Sequence, residues 1–320
     1  VRASLRAKEQ LKIQNWARNP NLSCRPIPAS STTEVWPTRK SAVTLFLKLV
    51  ILMAGLLLLY ETLRRCGLWL NLVCTSFLPV ILTPMWFSQN PDIGLFPWVK
   101  LYSLVISLTW INLARFTALG HRTWWRQGLV CLLLINILEA IIQDSQGSHL
   151  THWLVIISGF LVILTLPSFR GAIQIDFATP TRDVTYFGMH RNWIVEYSVW
   201  NWAFVYLNFP QIAAHQLAVL NAAAIVGFIR PQLWLQARAY TLMADLMLLA
   251  TFPKALILWT DSEHWSNPTR QWLVSAICLL IITLFSLRLL RRRRQARQPT
   301  FVSLSEATLT DTVPAIHPEK

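Results

Sequence analysis

Apolar runs of about twenty residues, separated by short polar breaks, occupy most of the chain between Ala42 and Leu290. A bilayer core about 30 Å thick needs roughly 20 mostly apolar residues per crossing helix. By that measure the pattern predicts nine spans, at 42–62, 67–87, 95–116, 125–143, 151–168, 192–209, 211–229, 239–259 and 270–290. The expected fold is all-α, a polytopic transmembrane helical bundle of nine spans, or eight if the first does not cross. The chain then divides into a basic leader at 1–40, a helical domain at 41–290, and a basic stop with a disordered tail at 291–320. The leader carries Pro20, Pro26, Pro28 and Pro37, lacks helical periodicity and has no signal-peptide core, so it is expected to be unstructured. The chain begins with Val rather than Met, which also makes the leader a candidate for a segment foreign to the natural product.

Polar residues inside the spans fall on stripes, because positions three, four and seven apart share a helix face. Asn136, Glu139 and Gln143 form one in the fourth span, and Arg238, Thr241 and Asp245 another in the eighth. Tyr197, Asn201 and Asn208 align in the sixth, with Glu196 on the adjoining edge, and Lys100, Ser103 and Ser107 form a weaker row in the third. An ionisable group at mid-membrane costs about 2.5–3.5 kcal/mol on insertion scales. Glu139, Glu196 and Asp245 are therefore expected to face the interior and to converge on one hydrated cavity, against Lys100, Arg115, Arg238 or one another. The neighbours expected by depth are Glu139 with Lys100 and Arg238 with Asp245. Asn136, Ser103, Ser107 and Thr241 also fit a simpler role as interhelical hydrogen bonds.

Composition agrees with the pattern: 54% of residues are hydrophobic and only 14% charged, with mean hydropathy +0.41. The formal charge of +14 is concentrated beside the helices, with eight Lys or Arg in 1–40 and "RLLRRRRQAR" after the last span. That placement suits anionic lipid headgroups, and no nucleic-acid-reading motif accompanies it. The loops at 88–94, 144–149 and 260–268 are acidic or neutral, whereas 114–126, 169–191 and 230–238 carry Arg. The positive-inside rule puts the second set and the C-terminus in the cytoplasm of an inner-membrane protein. Traced backwards it leaves the basic leader outside, against the same rule.

Several chemistries are excluded. Cys24, Cys66, Cys74, Cys131 and Cys278 show no CxxC spacing and read as apolar fillers. His152, His190 and His215 read as residues near membrane edges, without the depth-matched pairs that a haem needs. No metal site, HExxH, GxSxG or phosphate loop is present, and ten glycines are few for a nucleotide site, so no cofactor is expected. Of sixteen tryptophans, Trp86, Trp98, Trp124, Trp125, Trp153, Trp193, Trp234, Trp259, Trp265 and Trp272 fall at span ends, as interfacial belts do. Trp200 lies one turn from Glu196, placed either to wall a pocket or to pack in the core.

The segments "YETLRR" (60–65), "FPWVKLYS" (96–103), "INILEAIIQD" (135–144), "YSVWNWAFVYLNF" (197–209) and "WLQARAYTL" (234–242) together resemble an uncharacterised family of bacterial multi-pass membrane proteins, a domain of unknown function. The resemblance runs from about residue 50 to 255 and implies a polytopic helical protein without a known activity. The residues themselves suggest a transporter or permease for a small polar or cationic solute. Its cavity is expected to be lined by Lys100, Asn136, Glu139, Glu196, Tyr197, Trp200, Asn201, Arg238 and Asp245. Two alternatives stand beside it. One is a lipid- or isoprenoid-modifying enzyme with Asp176, Asp183, His190 and Arg191 gathered on the 176–192 loop, and the other is a non-catalytic assembly or sensory partner.

Overall fold

The computed structural model describes residues 39–90, 94–167 and 171–297; residues 1–38 of the expected leader and 298–320 of the expected tail lie outside the described residues. The chain divides into two units, Val1–Thr44 and Leu45–Lys320. The described part of the first is no more than the opening turns of one helix, and the bundle itself belongs to the second.

Ten α-helices stand among the described residues: α1 Arg39–Arg65, α2 Leu68–Gln89, α3 Leu95–Phe116, α4 Thr123–Asp144, α5 Leu150–Leu164, α6 Arg191–Asn208, α7 Ala213–Ile229, α8 Trp234–Thr251, α9 Pro253–Thr260 and α10 Pro268–Arg297. Proline opens several of these turns, at Pro210, Pro231, Pro253 and Pro268, where its missing N–H has no partner to lose. Five helices are long and apolar enough to cross a membrane: α1, α2, α4, α7 with its preceding turn, and α10. Each of the nine expected segments holds a helix, but they differ in kind. α5 is apolar but only 15 residues long. α3 and α6 have the length and not the hydropathy, because Lys100, Asn112 and Arg115 interrupt one and Glu196, Asn201 and Asn208 the other. The eighth expected span, 239–259, is not one helix: α8 and α9 meet at Phe252 with a bend of 110°. The two would count as a sixth crossing if taken as one broken span.

Apart from the short α9, helix direction alternates along the chain, as the side-chain ties between helix ends show. At one end Arg64 of α1 meets the loop at Asp183, and Arg191 of α6 meets Phe228 of α7. At the same end Arg293 of α10 meets Thr165 just after α5. At the other end Trp86 of α2 meets Thr251 of α8, Asn208 of α6 meets Asp144 of α4, and Ser262 meets Ala214 of α7. α6, α7 and α8 are the buried centre. The small side chains Ala214, Ala218, Ala222 and Ala223 on α7 let its neighbours approach closely. α1, α2 and α10 are peripheral and expose Phe46, Leu58, Ile81 and Leu280, as lipid-facing surfaces do.

The tryptophans divide. Trp124, Trp153 and Trp272 are exposed at helix ends, as expected of a belt, but Trp86, Trp193 and Trp234 are buried core residues. Two of the buried ring N–H groups are absorbed inside the protein, Trp193 by the Val162 carbonyl at 3.0 Å and Trp86 by Thr251 Oγ1 at 3.0 Å.

Two short strands, β1 Ile173–Ile175 and β2 Val184–Tyr186, pair antiparallel between α5 and α6, with Ile173 opposite Tyr186 and Ile175 opposite Val184. The hairpin packs on α3, α4 and α8. Its alternate residues Ile173, Val184 and Tyr186 are buried, which explains why a three-residue pairing persists here.

Gly120 turns the corner between α3 and α4, and a Cβ there would lie 2.0 Å from the Ala114 carbonyl oxygen, which is backbone and cannot yield. Gly120→Ala is expected to lower the melting temperature of the solubilised protein by several degrees, on the order of 1–3 kcal/mol for overpacking. An unchanged melt would show that this corner opens freely.

Candidate functional site

On the hairpin side of the bundle α3, α4, α6 and α8 leave a cleft between them. Its walls are apolar, with Leu104 and Ile111 from α3, Leu129 and Leu133 from α4, and Leu235 and Leu242 from α8. Its polar groups are Ser107, Asn136, Tyr197 and Arg238. The free volume is ≈ 40 Å³, room for a few waters or one small ion, since a water needs about 10–15 Å³ on this measure.

Arg238 sits on the buried centre of α8 and is 4% exposed. Its Nη2 donates to Asn201 Oδ1 at 3.3 Å, while Nε and Nη1 have no hydrogen-bond partner. The guanidinium carbon lies 5.8 Å from the Tyr197 ring centroid, within cation–π range. Asn201 Oδ1 is shared with Gln216 Nε2 at 2.7 Å, so Arg238 holds only part of one acceptor.

Next to the cleft Lys100 and Glu139 pair at 3.2 Å, as their depth in the two spans predicts. Lys100 Nζ also donates to the Asn136 carbonyl at 2.9 Å, and Ser103 Oγ donates to Glu139 Oε2 at 3.1 Å. Tyr197 OH reaches Asn136 Oδ1 at 3.4 Å. This group is neutral as a whole, which leaves Arg238 as the uncompensated charge at the cleft.

The remaining expected residues lie elsewhere. Asp245 does not pair with Arg238; its Oδ1 is bound by His215 Nε2, whose Nδ1 lies 3.4 Å from Thr260 Oγ1. His215 stands in the first turn of α7, near a helix end as expected, but it is 1% exposed and faces the protein interior. Glu196 is fully buried against α5, where Thr165 Oγ1 donates to Oε2 at 2.8 Å. Trp200 is core packing, its ring N–H bonded to the Val155 carbonyl at 3.1 Å. Glu139, Glu196 and Asp245 thus occupy three separate hydrogen-bonded groups and do not form one shared cluster. The reason is local: each found its own polar partner on a neighbouring helix, which removes the cost that was expected to drive them together.

A second polar group joins the hairpin to the helix ends. Arg115, fully buried on α3, donates to the carbonyls of Arg64 (2.5 Å), Thr181 (2.6 Å) and Arg182 (3.2 Å) and to Tyr240 OH (2.7 Å). Tyr240 OH in turn faces Asn112 Oδ1 at 2.5 Å and Asn71 Oδ1 at 2.9 Å. The turn passes through Arg182 at φ 45°, the left-handed region, which costs a residue with a Cβ about 1–2 kcal/mol. Arg115 holds the carbonyls on both sides of that φ. Arg64 grips Asp183 with two bonds, at 2.8 and 2.6 Å. Burial pushes the Asp183 carboxyl up, but the hydrogen bonds and charge of Arg64, with Thr181 and Gln236, outweigh it and hold the group below the usual carboxylate range.

The four loop residues expected to form an enzyme site do not gather. Asp183 is taken by Arg64, Asp176 Oδ1 accepts from the Ala178 N–H at 3.1 Å, Arg191 bonds the Phe228 carbonyl at 2.9 Å, and His190 is exposed. Among the described residues no three His, Cys, Asp or Glu side chains are placed to hold a metal ion. Sequence reasoning missed Asn71, Asn112, Gln216, Gln236 and Tyr240. The available signal was isolated amides, and for Tyr240 a single phenol, which carry no stripe to mark them.

The fold and its interior define a class: an all-α bundle with several membrane-length helices and buried polar groups between them. Residues 39–306 match the model of a family of unknown function, DUF5692, and the chain belongs to that family. No curated protein and no solved structure matches it.

Proposed function

We propose that the chain is a permease-like protein of the inner membrane that binds a small oxyanion at Arg238. The observation that carries this reading is the buried guanidinium, with Nε and Nη1 unpaired at the wall of the cleft. A buried charge without a counter-charge costs several kcal/mol. A planar oxyanion supplies two acceptors to the free N–H groups and cancels the charge at once. An anion therefore fits better than the cationic solute suggested by the stripes, because Glu139 is already paired with Lys100. The ≈ 40 Å³ of free space favours an anion of the size of nitrate, formate or bicarbonate. For orientation, Arg65, Arg122, Arg126, Arg230 and Arg291 lie at the hairpin end of the helices. That supports a cytoplasmic hairpin and C-terminus, with these arginines beside anionic headgroups.

The test is titration of the full-length protein in lipid nanodiscs with sodium nitrate, formate and phosphate at constant ionic strength set by gluconate. Wild type is expected to bind one of the smaller anions saturably. Arg238→Gln should weaken that binding at least about thirtyfold, the lower end of about 2–5 kcal/mol for removing one partner of a buried charge pair. Uptake of the bound anion into proteoliposomes then tests transport. Absence of saturable binding of any of the three anions by wild type would sink the reading.

A further inference from the structure

The interface of α5, α6 and α10 lies apart from the cleft and holds a buried carboxylate at each end. At the end opposite the hairpin, Asp144 is fully buried. Its Oδ1 accepts from His152 Nδ1 at 2.9 Å and from Asn208 Nδ2 at 2.6 Å, and its Oδ2 has no partner. The His152 side chain is 13% exposed, so the pair has a wet edge. At the hairpin end, Glu196 accepts from Thr165 through Oε2, and its Oε1 has no partner. Arg293 of α10 is the charge that faces it, while donating to the Thr165 and Leu166 carbonyls at 2.7 and 2.9 Å.

Exchangeable groups lie on the buried faces between these ends. Thr151 is on α5, Ser286 on α10, and the Ser158 hydroxyl of α5 meets the Cys278 thiol of α10. Thr151 and Ser286 also lack partners. Four of the eight buried side-chain polar atoms left without a partner among the described residues are therefore on this one interface. That concentration is not what a structural seam requires, since an unpaired buried polar atom costs about 1–3 kcal/mol. Hydroxyls, carboxylic acids and imidazole share the ability to accept a proton and give one up, and buried waters commonly complete such atoms. The separation is of membrane scale: fourteen residues of helix from Thr151 to Thr165 rise about 21 Å.

We infer that the α5–α6–α10 interface is a proton path, with His152 and Asp144 as the proton-binding group at one end and Glu196 at the other. A proton taken from water by the His152 imidazole passes to Asp144, and one leaves the buried Glu196 through intervening water past the half-buried Arg293 at the hairpin end. Waters and hydroxyls carry the charge between, nothing is oxidised or reduced, and the protein returns to its starting state. The inference does not depend on anion binding at Arg238.

The full-length chain in liposomes loaded with a pH-sensitive dye, under a valinomycin-imposed potassium potential in gluconate buffer, provides the measurement. Wild type is expected to shift the internal pH faster than protein-free vesicles. Glu196→Gln and Asp144→Asn should each cut that rate at least tenfold, with Glu196→Asp restoring part of it at an unchanged melting temperature. Should one neutral variant fail to fold, the other carries the test. A wild-type rate equal to that of empty vesicles at verified protein incorporation, or wild-type rates in the folded neutral variants, would overturn the proposal whatever the anion titration shows.

Discussion

Replacing Arg115 with leucine is expected to leave little folded protein. The substitution strips donors from the carbonyls of Arg64, Thr181 and Arg182 and from Tyr240 OH, all around a fully buried side chain. Each buried acceptor left unsatisfied costs about 1–3 kcal/mol. Three carbonyls alone thus approach the whole stability of a typical domain, about 5–15 kcal/mol. Leucine adds no strain that would confuse the result, being smaller than the side chain it replaces. Arg115→Lys keeps the charge and some donors and should fall between the two, because one ammonium cannot span partners that a guanidinium fork reaches together. The readout is monodisperse yield and melting temperature in detergent. A shift for the leucine variant smaller than about 2–4 °C, roughly 1 kcal/mol in a chain of this size, would show that the loop carbonyls find water instead.

The second large effect concerns Asp183. Its folded carboxyl titrates below the usual range despite burial, because of Arg64 first among its partners. A depressed carboxylate contributes stability that is present above the unfolded value, about 3.9, and lost as pH falls through the folded one. Attachment of the hairpin should therefore be constant near neutrality and fail in acid, below about pH 3.9. Asp183→Asn removes the charge at every pH and leaves a half-buried Arg64 with Glu61 alone. Breaking such a pair costs about 3–5 kcal/mol. Hydrogen exchange should show residues 173–186 deprotected in the variant at neutral pH, and equally deprotected in wild type once it is acidified. Equal protection of the hairpin in wild type and variant at pH 7 would contradict this.

How far the sequence revealed the interior depended on whether polar groups were periodic. Lys100 and Glu139 were legible as neighbours because each stands on a stripe at matching depth, and Arg238 with Tyr197 and Asn136 was legible as a lining. The partner of Asp245 was not. His215 lies on another helix, and spacing within one helix carries no information about which neighbour is nearest. The bend at Phe252 was hidden too, since apolar residues continue on both sides of Pro253 and a hydropathy window averages across the break. The hairpin could not be seen because three-residue strands are shorter than any pattern of alternation. They are held by Arg64 and Arg115 from helices far away in sequence.

α2 contains five residues of π-helix, Val73–Phe77, shortly after Asn71. A π turn takes up one residue more than an α turn, so the two halves of α2 are out of phase by about 100°. That offset puts Asn71 against Tyr240 and lets Thr75, which donates to the Asn71 carbonyl at 2.7 Å, also accept from Asn112. Deleting any one residue from 73–77 would yield a more regular helix and yet swing Leu68–Leu72 around its axis, carrying Asn71 off Tyr240. At this place the number of residues, and not the identity of any side chain, sets which face of the helix the interior receives.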